Sequence, residues 1–352
     1  MRRALSLALA LAVAAGCAGQ EATPAPTAPA SPAEVVELTL MTHDSFAVSA
    51  DVLAELEQEH GIRLRVLESG DAGVMVNQAI LSRDAPLADV LFGIDNTFLS
   101  RALEAGIFEP YHSPQLAAVA PELVLDEEGR VTPVDYGDVC LNYDRAAFAG
   151  ELPPPSSLHD LADERYRGML VVQNPATSSP GLAFLLATVI EFGEEWPAYW
   201  QALVENDVLV TSGWSEAYYS HFSAAGDGDR PIVVSYASSP AAEVFFAEPQ
   251  PEAAPTGVVS EGCFRQVEFA GILAGTERRQ AAERLIDFML GLRFQEDVPL
   301  NMFVFPANGQ AVLPEVFARH AALVDEPLTM APAEIGERRS ALIEEWTDVV
   351  LR

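Results

Sequence analysis

The residues of this chain that could do chemistry stand where apolar strands give way to helices. After ELTLM (37–41) comes Thr42-His43-Asp44-Ser45-Phe46, and after IRLRVL (62–67) comes Ser69-Gly70-Asp71-Ala72-Gly73. The apolar run ADVLFGI (88–94) ends in Asp95-Asn96. Mid-chain, the corresponding junctions are Thr177-Ser178-Ser179-Pro180-Gly181, Ser212-Gly213-Trp214-Ser215-Glu216 and Ser235-Tyr236-Ala237-Ser238-Ser239. In open α/β sheets, ligands bind beyond the carboxyl ends of the strands, where such loops lead into helices. Carboxylates gather in the first set of junctions, aromatics and hydroxyls in the second. Together they suit a flat, cationic organic molecule, stacked on rings and neutralised by carboxylate. Each cation–π contact contributes about 0.5–2 kcal/mol. The turn at 177–181 also offers hydroxyls and free N–H groups at a helix start, which suits a phosphate.

Each of these residues also has a purely structural reading. Asp44, Ser179 and Ser215 could be helix N-caps and nothing more. Trp214 and Tyr236 could be core aromatics, and Asp95 could cap the helix that follows its strand. Other chemistries find less support. His43, His60, His112, His159, His221 and His320 lie far apart and no C-x-x-C occurs, so no metal site is expected. There is no phosphate-binding glycine loop, no H-E-x-x-H and no G-x-S-x-G. An extracytoplasmic hydrolase would need a nucleophile beside a base, and His43 is the one histidine at a junction. The chain is therefore read as a binding protein rather than an enzyme.

The elements that must position these junctions alternate strand and helix from Glu37 onward. The first strand leads to a helix with the stripe Val48, Val52, Leu53 and Leu56, capped by Asp44 or Ser45 and stopped at Gly61. Further helices are expected over 74–81, 96–105, 181–192, 196–204, 214–222 and 240–246, with strands over 168–173, 207–211 and 231–237. Continuous apolar strands between helices mean a sheet buried on both faces, hence mostly parallel strands. VTPVDYGDVCLNYD (131–144) and CFRQVEFAGIL (263–273) are long for single strands and read as crossings between two lobes. The fold class is thus α/β, two lobes each with a mostly parallel sheet flanked by helices, joined by two hinge crossings. The first lobe takes 35–137 plus 264–352 and the second 138–263.

At these residues the chain resembles the thiamine-binding proteins of ATP-driven importers, a branch of the two-lobed periplasmic solute-binding proteins. The matching segments are THDSF (42–46), ADVLFGIDN (88–96), PVDYG (133–137), NPATSSPGL (174–182), GWSEAY (213–218), SYASSP (235–240) and EGCFRQVE (261–268). The resemblance implies lobes that close by hinge motion on thiamine or its phosphate esters, with delivery to a permease and no cofactor. It makes Trp214 and Tyr236 an aromatic wall and Asp71 and Asp95 partners of the aminopyrimidine. Ser178 and Ser179 would face the hydroxyethyl or phosphate end, and His43, Asp44, Tyr218 and Ser239 complete the expected ligand-binding set. His43 stands where enterobacterial members have a stacking Tyr, and Ala242 where they have another; Phe245 or Phe246 is a candidate replacement. The alternative is ferric ion, which related two-lobed proteins hold with adjacent tyrosines such as Tyr218-Tyr219. Adjacent helical residues point about 100° apart, so both could serve only at a helix start.

Composition bounds the partners. A net charge of −32 argues against nucleic acid and against direct adsorption to anionic lipid. All the basic residues are Arg. The first residues, MRRALSLALALAVAAGC, have the layout of a secretory signal over 1–16, and the small residues before Cys17 point to a lipoprotein lipidated on that thiol. An ordinary signal cut a few residues later would leave Cys17 a bystander. The stretch AGQEATPAPTAPASPA (18–33) is a Pro/Ala-rich linker with no aromatic and no periodicity. The chain is thus expected outside the cytoplasm, a monomer tied to the membrane through lipid alone. Cys140 and Cys263 remain as a pair in an oxidising compartment, either a disulfide or two buried thiols.

Overall fold

The computed structural model describes residues 35–352. The signal, Cys17 and the linker lie outside the described residues. The chain begins with β1 (Val36–Thr42), α1 (Ala50–His60), β2 (Ile62–Glu68), α2 (Ala72–Leu81), β3 (Val90–Asp95), α3 (Leu99–Glu104) and β4 (Phe108–Glu109). The long β5 (Thr132–Asp144) leads to β6 (Leu170–Gln173), α4 (Ser179–Phe192), α5 (Trp196–Glu205), β7 (Leu209–Thr211) and α6 (Trp214–Glu216). Then come β8 (Ile232–Tyr236), α7 (Ser239–Phe246) and the longer β9 (Thr256–Leu273). The remainder is α8 (Arg279–Leu290), α9 (Leu292–Gln295), α10 (Val298–Asn301), β10 (Phe305–Pro306), α11 (Glu315–His320) and α12 (Pro332–Val350).

One sheet runs through the whole body in the order β2-β1-β3-β9-β5-β8-β6-β7, with β4 added to β9 and β10 to β5. Its two ends are parallel: β1 pairs with β2 and β3, and β6 with β7 and β8. The centre is antiparallel, because β5 and β9 pair with each other along most of their lengths. All residues of β3 are buried, as expected for a strand covered on both faces. Alternation then divides the core. Leu38, Leu40, Val90 and Phe92 pack with α1 and α8, whereas Met41, Leu91 and Ile94 join the core that includes α2, α4 and α5. The C-terminal α12 packs on both α3 and α5, and its fully buried Trp346 meets Trp200 edge-to-face at 5.5 Å.

Three local expectations are corrected. The cap of α1 is Ser49, whose side chain accepts from the Val52 N–H, not Asp44 or Ser45. Residues 43–48 stay irregular because the Ser45 N–H bonds to His43 Nδ1 and the Ser49 N–H to Asp297. Helix α3 starts later than Asn96, because Asp95 Oδ1 holds Thr97 and Phe98 in an Asx-type turn. The run 214–222 is not one α-helix but α6 followed by a π turn over Ala217–His221. Such turns are rare and cluster at functional sites.

Cys140 and Cys263 are joined in a disulfide, their Cα atoms 4.4 Å apart on the neighbouring β5 and β9. Beside them Arg265 reaches across to the buried Asp138, which also accepts from the Val324 N–H at 2.9 Å. The bond closes a chain segment of 123 residues, for which loop entropy gives roughly 4–5 kcal/mol as an upper expectation. A Cys140→Ala/Cys263→Ala protein should therefore fold but unfold at distinctly lower urea concentration than the oxidised wild type; equal midpoints would show that the bond adds nothing.

Candidate functional site

A cavity of about 400 Å³ opens at the carboxyl ends of the strands, within the range of small-molecule sites. One wall is aromatic. Trp214 begins α6, and Tyr218 on the π turn stacks on it at 4.8 Å and 20°. Tyr236 meets the indole at a steep angle, 61°, with centroids 6.4 Å apart. Hydrogen bonds fix these rings. Trp214 Nε1 donates to Ser235 Oγ at 2.9 Å, and that hydroxyl lies 2.9 Å from Ser239 Oγ. The Tyr236 hydroxyl accepts from Gln266 at 2.9 Å, and the Tyr218 hydroxyl donates to Glu243 at 2.7 Å.

Acids line the same cavity: Asp44 and Asp71 from the loops after β1 and β2, and Glu268 from β9. Asp71 caps α2 through the Ala72 N–H at 2.6 Å, then extends to the middle segment. Its Oδ2 accepts from the Trp214 N–H at 2.9 Å, and Oδ1 lies 3.4 Å from the Ser179 N–H. One of the donors at the start of α4 that the sequence offered to a phosphate, the Ser179 N–H, thus already faces a carboxylate. Burial raises the Asp71 carboxyl above its ordinary value, opposed by these N–H groups. Nearby the Gly73 N–H donates to the Thr177 carbonyl at 2.9 Å, and a Cβ at Gly73 would stand 2.6 Å from that oxygen. Only glycine permits the approach.

His43 projects toward the floor. Its Nδ1 accepts from the Ser45 N–H at 3.2 Å and its Nε2 lies 3.6 Å from Glu268. Burial alone would lower its pKa; Glu268, with Asp71 and Asp44, outweighs that and holds it above the ordinary value. Space for the ring comes from a bulge in β3: a Cβ on Gly93, at φ +95°, would lie 2.1 Å from His43 Cδ2. With Nδ1 bonded to a backbone N–H and Nε2 against a carboxylate, the imidazole is not paired with a serine nucleophile.

Of the expected residues, His43, Asp44, Asp71, Ser179, Trp214, Tyr218, Tyr236 and Ser239 line the one cavity. Asp95 and Ser178 do not; both are completely buried behind it. Asp95 Oδ1 accepts from the Thr97 N–H and hydroxyl, each at 2.6 Å, which is the capping role. Ala242 is at the wall, and Phe246, one helical turn on, supplies a ring there; it packs on Phe303 with centroids 5.4 Å apart. Phe245 supports that pair without lining the cavity. Tyr218 is a core residue and Tyr219 is 58% exposed, with their rings at 84°. The Tyr218 hydroxyl already belongs to Glu243, so the two do not form a matched pair of iron ligands.

Glu268, Glu243 and the loop 301–304 also line the cavity and were not anticipated as site residues. Glu268 had a signal, a lone acid inside the apolar run VEFAGIL. The loop had none.

Residues 85–324 match the family described as bacterial extracellular solute-binding protein. This chain belongs to that family. The solute-binding protein is 31% identical over 326 residues to the thiamine-binding periplasmic protein of Escherichia coli K12, covering 90% of this chain and 94% of that one. It is 30% identical over 316 residues to the protein of the same name from Brucella melitensis biotype 1, covering 88% and 91%. Among solved structures, a periplasmic thiamin binding protein superimposes with a TM-score of 0.80 at 28% identity, over 90% of this chain and 96% of the other. The two-lobed architecture of periplasmic binding proteins is therefore that of this solute-binding protein.

Burial raises the Asp95 carboxyl from 3.8 to about 6, with its hydrogen bonds opposing and Glu268 adding to the rise. The folded state then binds more protons than the unfolded one, so stability falls as pH rises from about 4 to about 6, by roughly 3 kcal/mol at most for this group. Asp95→Asn, which keeps the capping oxygen, should flatten that part of the urea-stability profile. An unchanged slope would assign the titration elsewhere.

Proposed function

We propose that this solute-binding protein captures thiamine outside the cytoplasm and delivers it to the permease of an ABC importer. The observation that carries the reading is that rings and acids line one cavity together: Trp214 and Tyr236 with Asp71, Asp44 and Glu268. Thiamine combines a flat aminopyrimidine with a permanently cationic thiazolium. Rings accept the faces of such a molecule, and carboxylates supply charge and acceptors for the amino group. The names carried by the relatives agree. The lining residues include no Arg or Lys, which a site selecting an anion would be expected to use.

The hinge is assigned to β5 and β9, with the lobes dividing near residues 137 and 264; the paired strands support this. Lipidation of Cys17 and the linker to residue 34 would hold the protein beside its permease as a monomer, at high effective concentration. Several acyl chains are needed for firm retention, which a fully processed lipoprotein cysteine has.

Thiamine at micromolar concentration should raise the melting temperature, since a ligand that binds only the native state stabilises it by mass action. Calorimetric titration with thiamine, its monophosphate and its diphosphate gives the preference, and no heat with any of them removes the reading. Trp214→Ala should weaken thiamine at least about tenfold, the loss expected for a desolvated cation–π contact. Retained affinity in a folded variant would take the indole out of the site. Ferric salt should add no tyrosinate colour.

A further inference from the structure

We infer that the floor of the site holds a proton in the empty protein, carried by Asp135 and hydrogen-bonded to Glu268, and that the bound cation displaces it. The inference rests on the thiamine reading for the identity of the cation but not for the proton.

The geometry is that of three carboxyls on three adjacent strands. Glu268 in β9 is the cross-strand partner of Asp95 in β3 on one side and of Asp135 in β5 on the other. Directly paired positions bring side chains within about 5 Å at Cβ. Asp95 and Asp135 are completely buried and Glu268 is 8% exposed. Among the described residues, none of the three has an arginine within ion-pair distance; the one basic contact is His43 Nε2, 3.6 Å from Glu268. Both oxygens of Asp135 and Oδ2 of Asp95 lack a hydrogen-bond donor.

Ionised carboxylates in that condition are too costly to bury. Asp135 lies beside another carboxyl with no other donor, so the cheapest arrangement protonates it and lets its O–H donate to Glu268. Burial first, then Glu268, pushes Asp135 well above the carboxylate range. Glu268 lines the cavity, whereas Asp135 does not. The shared proton therefore sits one carboxylate away from the ligand. A cation against Glu268 supplies the positive charge that the proton provided, lowers the proton affinity of the pair and releases the proton to water.

Other groups act on this floor. His43, Asp44 and Asp71 face it from the loops after β1 and β2, and Tyr236 from the end of β8 carries a neutral phenol, its pKa raised by burial and these acids. Arg339 of α12, over the Phe98 ring, favours the ionised form of Asp95 at longer range. Two other groups compete as proton sources: His43, because a cation also opposes imidazolium, and Asp95, the other cross-strand neighbour of Glu268, whose carboxyl burial raises to about 6. Asp95→Asn is therefore the second control beside His43→Gln.

The sign follows from linkage. Proton release makes affinity rise with pH across the range in which the empty floor titrates, and level off above it. Thiamine titrated at about pH 6 in buffers of different ionisation heat should release up to about one proton per cation bound. His43→Gln and Asp95→Asn should each keep most of the release. Asp135→Asn should abolish most of it, and Glu268→Gln serves as the second test should the first variant not fold. Thiamine binding with buffer-independent heat, or release abolished by His43→Gln or by Asp95→Asn, overturns the exchange. The proton has a test without ligand: in the Asp95→Asn background, the infrared spectrum of the unliganded protein at about pH 6 should show a protonated-carboxyl C=O stretch that is lost when Asp135→Asn is added. A spectrum with every carboxyl ionised overturns the proton whether or not thiamine binds. If the band is present and thiamine gives no heat, the proton stands and the ligand assignment fails.

Discussion

The structure depends on the pairing of β5 with β9. These two strands join the halves of the sheet, and they also carry its least ordinary polar residues: Asp135, Asp138, Gln266 and Glu268 are all buried there. A central strand in an α/β sheet is normally apolar on both faces, and each polar residue placed in one needs a partner. Here the partners lie across the same pair. Asp138 is matched with Arg265, Gln266 holds Tyr236, and Glu268 stands between two further acids. The strands that join the two halves of the sheet also carry the floor of the site.

Electrostatics then follow from the absence of arginine and lysine among the described residues that line the cavity, unsurprising in a chain of net charge −32. Carboxylates that cannot reach arginine must be satisfied in other ways. Asp71 uses backbone N–H groups from three helix starts, where the peptide dipoles favour an anion. Because those donors belong to segments far apart in sequence, the same carboxylate ties the N-terminal strands to the start of α6. Asp95 uses its own turn. Among the described residues, Asp135 is the buried acid with no donor to either oxygen, which is why the proposed proton is assigned to the floor.

Much of this was legible in the sequence because burial on both faces leaves an unbroken apolar strand, and strand ends in such folds mark the site. The junctions that hold His43, Asp71, Trp214 and Tyr236 are marked by strand ends, while the choice of these residues within them came from the family resemblance; all four line the cavity. The failures have physical reasons. Asp44, Ser45 and Ser49 are equivalent as caps until a local turn onto His43 and a tertiary bond to Asp297 decide among them. Asp95 and Ser178 occupy junctions like the rest, but depth beneath the wall is a tertiary property with no local sign. The π turn preserves helical composition while shifting Tyr218 and Tyr219 into different surroundings. Glu268 was visible as an acid in an apolar strand, yet only cross-strand register shows that it has an acid on either side.

The disulfide between Cys140 and Cys263 has a mechanical consequence. Two separate connecting strands could shear past one another as the cleft opens, changing register at every step. A covalent bond between them forbids that sliding and makes them a single beam. What remains to such a beam is bending and torsion about its own axis, which leave its ladder of hydrogen bonds intact. On the hinge proposed above, opening would be an elastic deformation of one ribbon, and the carboxyls of Asp135 and Glu268 mounted on it would travel together, keeping their mutual spacing.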